Sequence, residues 1–365
     1  MKVLFTFGGM PHYLVSLLNK LTIKYNIDIV VVRPLNSGKT IGKAVNQSDT
    51  GANFKTVFAN EYNAFFNKPY FKDFYQIINS EKPDIIVCGY TAYPRIIDFK
   101  KFAEIADKVG ALKGSPTYLL ADVSHIAGLI VGGAHPSPVP YADIVTTTTH
   151  KTLRGPRGAL IMVTDRGLKK DPDLGKKIDT AIIPGLQGGP HDNQTAAIAV
   201  ALKEAATPAF KKYSAQIVKN SQKLAAELTK YDFNLVSGGS DNHLLLIDLR
   251  NKNVNGVVAA LALEVADIVL NKNGVPNDTN PPFYPSGIRL GTPAITTRGM
   301  KEKEMVKIAK WINEAVEAVK SYQLPKDKEA RKEFMKKFKS EVAKNKKLLA
   351  IAKEVRAMTI KFPTP

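Results

Sequence analysis

Apolar and polar positions follow two rhythms along the chain. Short apolar runs (KVLFTF, DIVVVRP, DIIVCGY, YLLADV, ADIVTTTT and GALIMVTD), bounded by Gly, Pro, Asp or Ser, read as strands. Between two of them, FKKFAEIADKVGA spaces its apolar residues three and four apart, the stripe of an amphipathic helix. LVSLLNKLTIKY and YFKDFYQIINSEK carry the same helical spacing. Strand and helix alternating in this way predict βαβ units and a parallel sheet, with residues 1–35 as the first unit and 36–70 polar and irregular. After GLQGGP the rhythm changes: residues 191–230 are largely helical. A smaller α+β region follows, with strands FNLVSGG and HLLLIDL, helix VNGVVAALALEVA, loop NPPFYPSGIRLG and two closing helices.

Composition narrows the class. The chain has 365 residues, 44% of them hydrophobic, which is globular and long enough for two or three domains. No run approaches the length of a membrane-spanning helix, and the first residues read as a strand rather than a signal peptide. The single Cys88 excludes an internal disulfide and suits a reducing cytoplasm, so a cytoplasmic protein without a membrane partner is expected. A net charge of +19 raises the question of nucleic acid. Much of it sits in runs such as KDKEARKEFMKKFKSEVAKNKK, where Lys, Glu and apolar residues recur at helical spacing. A solvated helical face accounts for that pattern, and neither a basic-aromatic platform nor zinc spacing accompanies it, so no nucleic-acid partner and no metal are expected.

Several short stretches carry candidate chemistry. DVSHIAGL puts Asp122 and His125 just past a strand, where open α/β sheets bind ligands. A helix cap and a surface histidine explain this motif alone equally well. One strand later, TTTTHKTLRGPRGAL surrounds Lys151 with hydroxyls, an imidazole and guanidinium groups. Such a lysine is commonly a partner for phosphate or carboxylate. Sharing a pocket with an acid and a ring-stacking group, it suits covalent capture of pyridoxal phosphate. GLQGGP is either an ordinary turn or a place where a phosphate approaches backbone. Arg289, between glycines in SGIRLGTPA, is suited to a carboxylate or to a surface ion pair. FGGMPHY could lay amides against a diphosphate at a helix start.

GYTAYPRIIDFKKFAEIADKVGA, DVSHIAGLIVGGAHPSPVPYADIVTTTTHKTLRGPRG, QGGPH, VSGGSDNHLLLIDL, NKNGVPNDTNPPF and SGIRLGTPAITTRG together resemble serine hydroxymethyltransferase, over residues 85 to 357. The resemblance implies an α/β fold of the aspartate-aminotransferase-like type (fold type I), a large domain with a parallel-rich sheet and a smaller α+β C-terminal domain. It implies pyridoxal 5'-phosphate as cofactor and tetrahydrofolate as co-substrate, with serine and glycine interconverted in one-carbon metabolism. Lys151 then resembles the lysine that holds the cofactor covalently, Asp122 the partner of its ring nitrogen, and His125 the residue stacked on the ring. His150 resembles a residue tuning substrate specificity. Thr148 and Thr91 resemble groups near the cofactor, and Gly189 one approaching its phosphate from a neighbouring subunit. Arg289 and Arg157 would meet the substrate, and Pro282 and Phe283 the folate. A homodimer with shared active sites is implied.

Before residue 85 the family pattern stops. The family's Glu-Gly-Tyr-Pro element, Ser-Gly-Ser-Gln phosphate loop and His-rich stretch have no match in family order. KVLFTFGGMPHYLVSLLNKL, the IGKAVNQSD region and EKPDIIV resemble instead the N-terminal piece of a GT-B glycosyltransferase. Three segments are therefore expected. They are a Rossmann-like segment over 1–85, a partial pyridoxal-phosphate-binding large domain incomplete at its N-terminus over 86–205, and a small C-terminal domain over 206–365. The expected activity is glycine/serine hydroxymethyl transfer, impaired by the N-terminal departure. A nucleotide-sugar glycosyltransferase and a catalytically dead fusion are the alternatives.

Overall fold

The computed structural model describes residues 2–6, 28–34, 54–59 and 82–364. The GGMPHY turn, the helix expected over 14–25 and residues 70–81 of the helix expected over 70–82 lie outside the described residues. The chain divides into two compact units, Met1–Thr91 with Ile96–Lys211, and Ala92–Arg95 with Lys212–Pro365.

The first unit is built on a seven-stranded sheet. Its strands are β1 (Lys2–Thr6), β2 (Asp28–Pro34), β3 (Phe54–Ala59), β4 (Ile85–Cys88), β5 (Tyr118–Asp122), β6 (Ile144–Thr148) and β7 (Ala159–Val163). They are ordered β3-β2-β1-β4-β5-β6-β7. All neighbours are parallel except β6 and β7, which pair antiparallel from Ile144↔Val163 to Thr148↔Ala159. The parallel pairs need crossovers, and α1 (Phe99–Lys113) supplies the one between β4 and β5. Asp98 caps it by accepting from Lys101 N at 2.9 Å, and Gly114 at φ 70° ends it. Its buried stripe of Phe99, Phe102, Ile105, Ala106 and Val109 matches the helical spacing in the sequence.

The strands bury small and branched residues, among them Ile86, Cys88, Leu119 and Ala121. At the start of β6, the fully buried carboxylate of Asp143 accepts from Lys170 Nζ and Leu119 N, both at 2.7 Å. Arg166 Nε lies 3.1 Å from its other oxygen. A buried charge persists only when paired in this way. α2 (Ala127–Val131) lies between β5 and β6 in the chain, and beyond β7 come α3 (Asp165–Lys170), α4 (Leu174–Ile182) and α5 (Asp192–Ala205). α4 has no buried residue, and α5 buries only Ala201 and Ala205.

The second unit carries a four-stranded sheet of β8 (Asn234–Leu235), β9 (Leu244–Asp248), β10 (Asn271–Asn273) and β11 (Gly287–Gly291). The order is β10-β11-β9-β8, and every pair is antiparallel. β9 is buried throughout. Its Leu245 and Ile247 join Ile288 of β11 in a core with Val258 of α7 (Gly256–Val265) and Trp311 of α9 (Glu302–Glu317). α6 (Pro208–Lys230) and α8 (Pro293–Thr297) complete the elements before the closing helices.

Three sequence expectations change here. Residues 54–59, inside the stretch read as polar and irregular, form β3, because β2 offers them a parallel ladder from Ile29↔Phe54 to Pro34↔Ala59. Where two closing helices were expected there are three, α9, α10 (Lys328–Val342) and α11 (Lys346–Ile360). Asn345 splits the lysine-rich stretch because its Oδ1 accepts from Lys347 N at 3.0 Å and Leu348 N at 3.2 Å, starting a new helix. FNLVSGG, read as one strand, pairs only over Asn234–Leu235 and then turns through Val236–Gly238, where Ser237 takes φ 63°. Among the described residues no helix is long and apolar enough to cross a membrane.

Candidate active site

Parallel pairing brings the carboxyl ends of β4, β5 and β6 to one edge. Cys88 pairs with Ala121 and Asp122 with Thr146, so the segments leaving the three strands run side by side. The approach is close. A Cβ on Gly89 would lie 2.2 Å from the carbonyl oxygen of Asp122, so only glycine fits just past β4.

Asp122 ends β5, and Ser124 folds back on it. Ser124 N and Oγ both donate to Asp122 Oδ1, at 3.0 and 2.6 Å. Ser124 in turn meets the end of β6: Thr148 N donates to its Oγ at 3.1 Å, and Thr148 Oγ1 donates to its carbonyl at 3.4 Å. Lys151 Nζ then donates to Thr148 Oγ1 at 3.2 Å. A polar chain thus runs Asp122, Ser124, Thr148, Lys151 across two strand ends.

The loop from Thr149 to Gly158 is pinned at its neck. Thr149 N donates to Gly158 O at 3.0 Å, Gly155 N to Thr149 O at 2.8 Å, and Thr149 Oγ1 to Pro156 O at 2.6 Å. Thr152 Oγ1 accepts from Gly128 N at 2.9 Å and donates to His125 O at 3.1 Å, tying the His125 turn and the start of α2 to the lysine segment. Arg157 Nη1 stands 3.5 Å from His150 Nε2. Burial, then the cations of Arg157 and Lys151, hold His150 below its ordinary pKa, favouring the neutral ring. The edge therefore brings together the amine of Lys151, the carboxylate of Asp122 and the imidazole of His150 beside the Arg157 guanidinium.

Asp122, His125, Thr148, His150, Lys151 and Arg157, singled out in the sequence, all lie on these adjoining segments of the first unit. Thr91, three residues past β4, is exposed in the same unit. Gly189 stands in an exposed stretch where an added Cβ would meet nothing within 4 Å. Arg289, Pro282 and Phe283 belong to the second unit.

The loop expected around Arg289 is a strand. Arg289 sits mid-β11, opposite Leu246 and Asn271, because β9 and β10 supply ladder partners on both sides. Its Nη2 donates to Asn271 Oδ1 at 3.1 Å, and burial lowers its pKa. Phe283 is 69% exposed at the tip of a loop closed by buried Asp278, which accepts from Ser286 N at 2.8 Å and Ser286 Oγ at 2.7 Å. The sequence reading missed Ser124 and Thr152. An Asp followed two residues later by Ser, just past a strand, is the signal that would have found the first.

Comparison with known proteins adds family evidence. Residues 37–312 match the family described as Serine hydroxymethyltransferase, a span that opens ahead of the motifs beginning near residue 85. A protein named serine hydroxymethyltransferase from Desulfotalea psychrophila is 52% identical over 284 residues, covering 78% of this chain and 58% of that protein. Proteins of the same name from Acidothermus cellulolyticus and Bartonella henselae are 50% and 49% identical, over 81% and 79% of this chain and 62% and 60% of their own lengths. The chain thus spans less than two thirds of these relatives.

Proposed function

The chain belongs to the serine hydroxymethyltransferase family, fold type I transferases that use pyridoxal phosphate and tetrahydrofolate, and on that premise we propose that it interconverts serine and glycine. Serine and tetrahydrofolate would give glycine, 5,10-methylenetetrahydrofolate and water, reversibly. The observation that carries this reading is the chain of hydrogen bonds from Asp122 through Ser124 and Thr148 to Lys151. The family match over residues 37–312 favours it over a nucleotide-sugar glycosyltransferase or an inactive fusion.

The residues suit the cofactor. Among the described residues both hydrogen bonds accepted by Asp122 fall on Oδ1, leaving Oδ2 for a cationic ring nitrogen. Lys151 would hold the aldehyde carbon, with Thr148 Oγ1 fixing where its nitrogen stands. Pyridoxal phosphate supplies an electron sink for a bond broken at the amino-acid Cα. His125 would stack on the ring, Thr91 would lie near the cofactor, and Gly189 would approach its phosphate from a neighbouring subunit. His150, its ring beside the cation of Arg157, would tune which substrate is accepted. Arg289 would bind the substrate carboxylate, and Pro282 and Phe283 would contact folate.

A homodimer with shared sites belongs to the same reading. Ile183, Leu186 and Val200 are 53%, 66% and 59% exposed around α4 and α5, an apolar surface that a second copy would cover. A cytoplasmic setting accords with the single buried Cys88, whose thiol burial pushes far up its scale. The test is covalent labelling. Borohydride reduction of the cofactor-loaded protein, followed by peptide mapping, should place the label on Lys151. A label elsewhere, or none at saturating cofactor, overturns the assignment.

A further inference from the structure

Ser124 has no assigned role in the strand-end motif, yet its hydroxyl joins the two ends of the site. Oγ lies 2.6 Å from Asp122 Oδ1 and 3.1 Å from Thr148 N. A backbone N–H can only donate, so Oγ must accept from Thr148 and turn its own proton to the carboxylate. That makes the Asp122 contact an O–H···O⁻ bond with a charged acceptor, one of the stronger kinds. With Ser124 N on the same oxygen at 3.0 Å, Oδ1 is held by two donors from one residue. The carboxylate cannot rotate without breaking both. Thr148, fixed by its N–H on Ser124, presents Oγ1 to Lys151 Nζ.

We propose that Ser124 is a positioning residue, fixing Asp122 so that Oδ2 faces the cofactor ring nitrogen and setting the strand-end register at which Thr148 meets Lys151. This rests on reading the edge as a pyridoxal-phosphate site. Ser124→Ala keeps the bond from its backbone N–H but removes the charged one, and leaves Thr148 N without its acceptor.

Because a hydrogen bond to a charged group is worth a factor of about ten or more, Ser124→Ala should weaken pyridoxal-phosphate binding by roughly tenfold. A counter-charge free to turn away from the ring also stabilises its protonated nitrogen less. In ¹⁵N spectra of ring-labelled cofactor, that nitrogen should lose its proton at lower pH than in the parent protein. A merely structural role would not move that titration. Ser124→Thr, which restores the hydroxyl, should return both readouts toward the parent. Ser124→Cys, which offers a weaker donor of similar shape, should show a smaller loss and serves if the alanine variant does not fold. Cofactor affinity and ring titration unchanged in Ser124→Ala, or in Ser124→Cys where alanine does not fold, would overturn the proposal. A borohydride label missing from Lys151 in the parent would instead defeat the site reading beneath it.

Discussion

Gly128 is where the site's framework is most exposed to a small change. It lies in the first turn of α2, and its N–H donates to Thr152 Oγ1 at 2.9 Å. A Cβ there would stand 2.3 Å from Thr152 O, 2.5 Å from Thr152 C and 2.9 Å from Thr152 Cβ. Two of these atoms are backbone, so no change of rotamer relieves the clash. In Gly128→Ala the His125 turn and the segment after Lys151 must move apart. Overpacking costs about 1–3 kcal/mol, and the lost hydrogen bond adds about 1 kcal/mol. The expected loss of stability is therefore about 2–4 kcal/mol, read from denaturant midpoints at an unchanged slope. Gly175→Ala is the control: in the first turn of α4 its Cβ meets nothing within 4 Å, so alanine should be neutral or stabilise by up to about 1 kcal/mol. Cofactor uptake should fall in Gly128→Ala and hold in the control. A Gly128→Ala protein within about 0.5 kcal/mol of the parent would refute the argument, because surface-like tolerance is incompatible with so close an approach.

On the proposed reading, Arg289→Ala should weaken glycine and serine binding by about 2–5 kcal/mol while sparing cofactor affinity, the cost of losing a charged hydrogen-bonded partner. Calorimetric titration of the cofactor-loaded protein checks it, and unchanged affinity would exclude the role. His150 gives a pH dependence. With its folded pKa held below the ordinary 6.5, the unfolded chain binds more protons in the interval between them. Its stabilising share is complete above about pH 6.5 and lost as pH falls through the folded value. His150→Gln should flatten that acid-side slope of denaturation midpoints, and an unaltered slope would assign it elsewhere.

Much of the first unit was legible because most of its strands announce themselves locally, β3 being the exception inside a stretch read as irregular. β4, β5 and β6 are apolar runs with polar ends, and α1 carries its stripe and caps in the sequence. What failed depended on partners distant in the chain. GIRLG looks like a loop because glycines flank a single aliphatic pair and an arginine. β9 lies some forty residues upstream, yet its ladder makes the segment a strand. The extra closing helix turned on one side chain: Asn345 looks like any polar residue in a basic run until its Oδ1 takes two backbone amides.

The site divides along the same line. Asp122 and Lys151 stand out because carboxylate and amine follow consecutive strands, but nothing local in either motif says that they share one network. Strand direction does. With β5 and β6 parallel and Asp122 opposite Thr146, Thr148 N reaches Ser124 Oγ across a separation of 24 residues. Antiparallel pairing would have carried the residues after Asp122 to the beginning of β6, beside Asp143 and its lysine and arginine partners. In that arrangement the carboxylate would face two permanent cations and Lys151 would stand at the opposite end of the strand. The helical stretch between β5 and β6 is the crossover that permits the parallel pairing, so the chemistry of this edge follows from chain direction as much as from the residues at the strand ends.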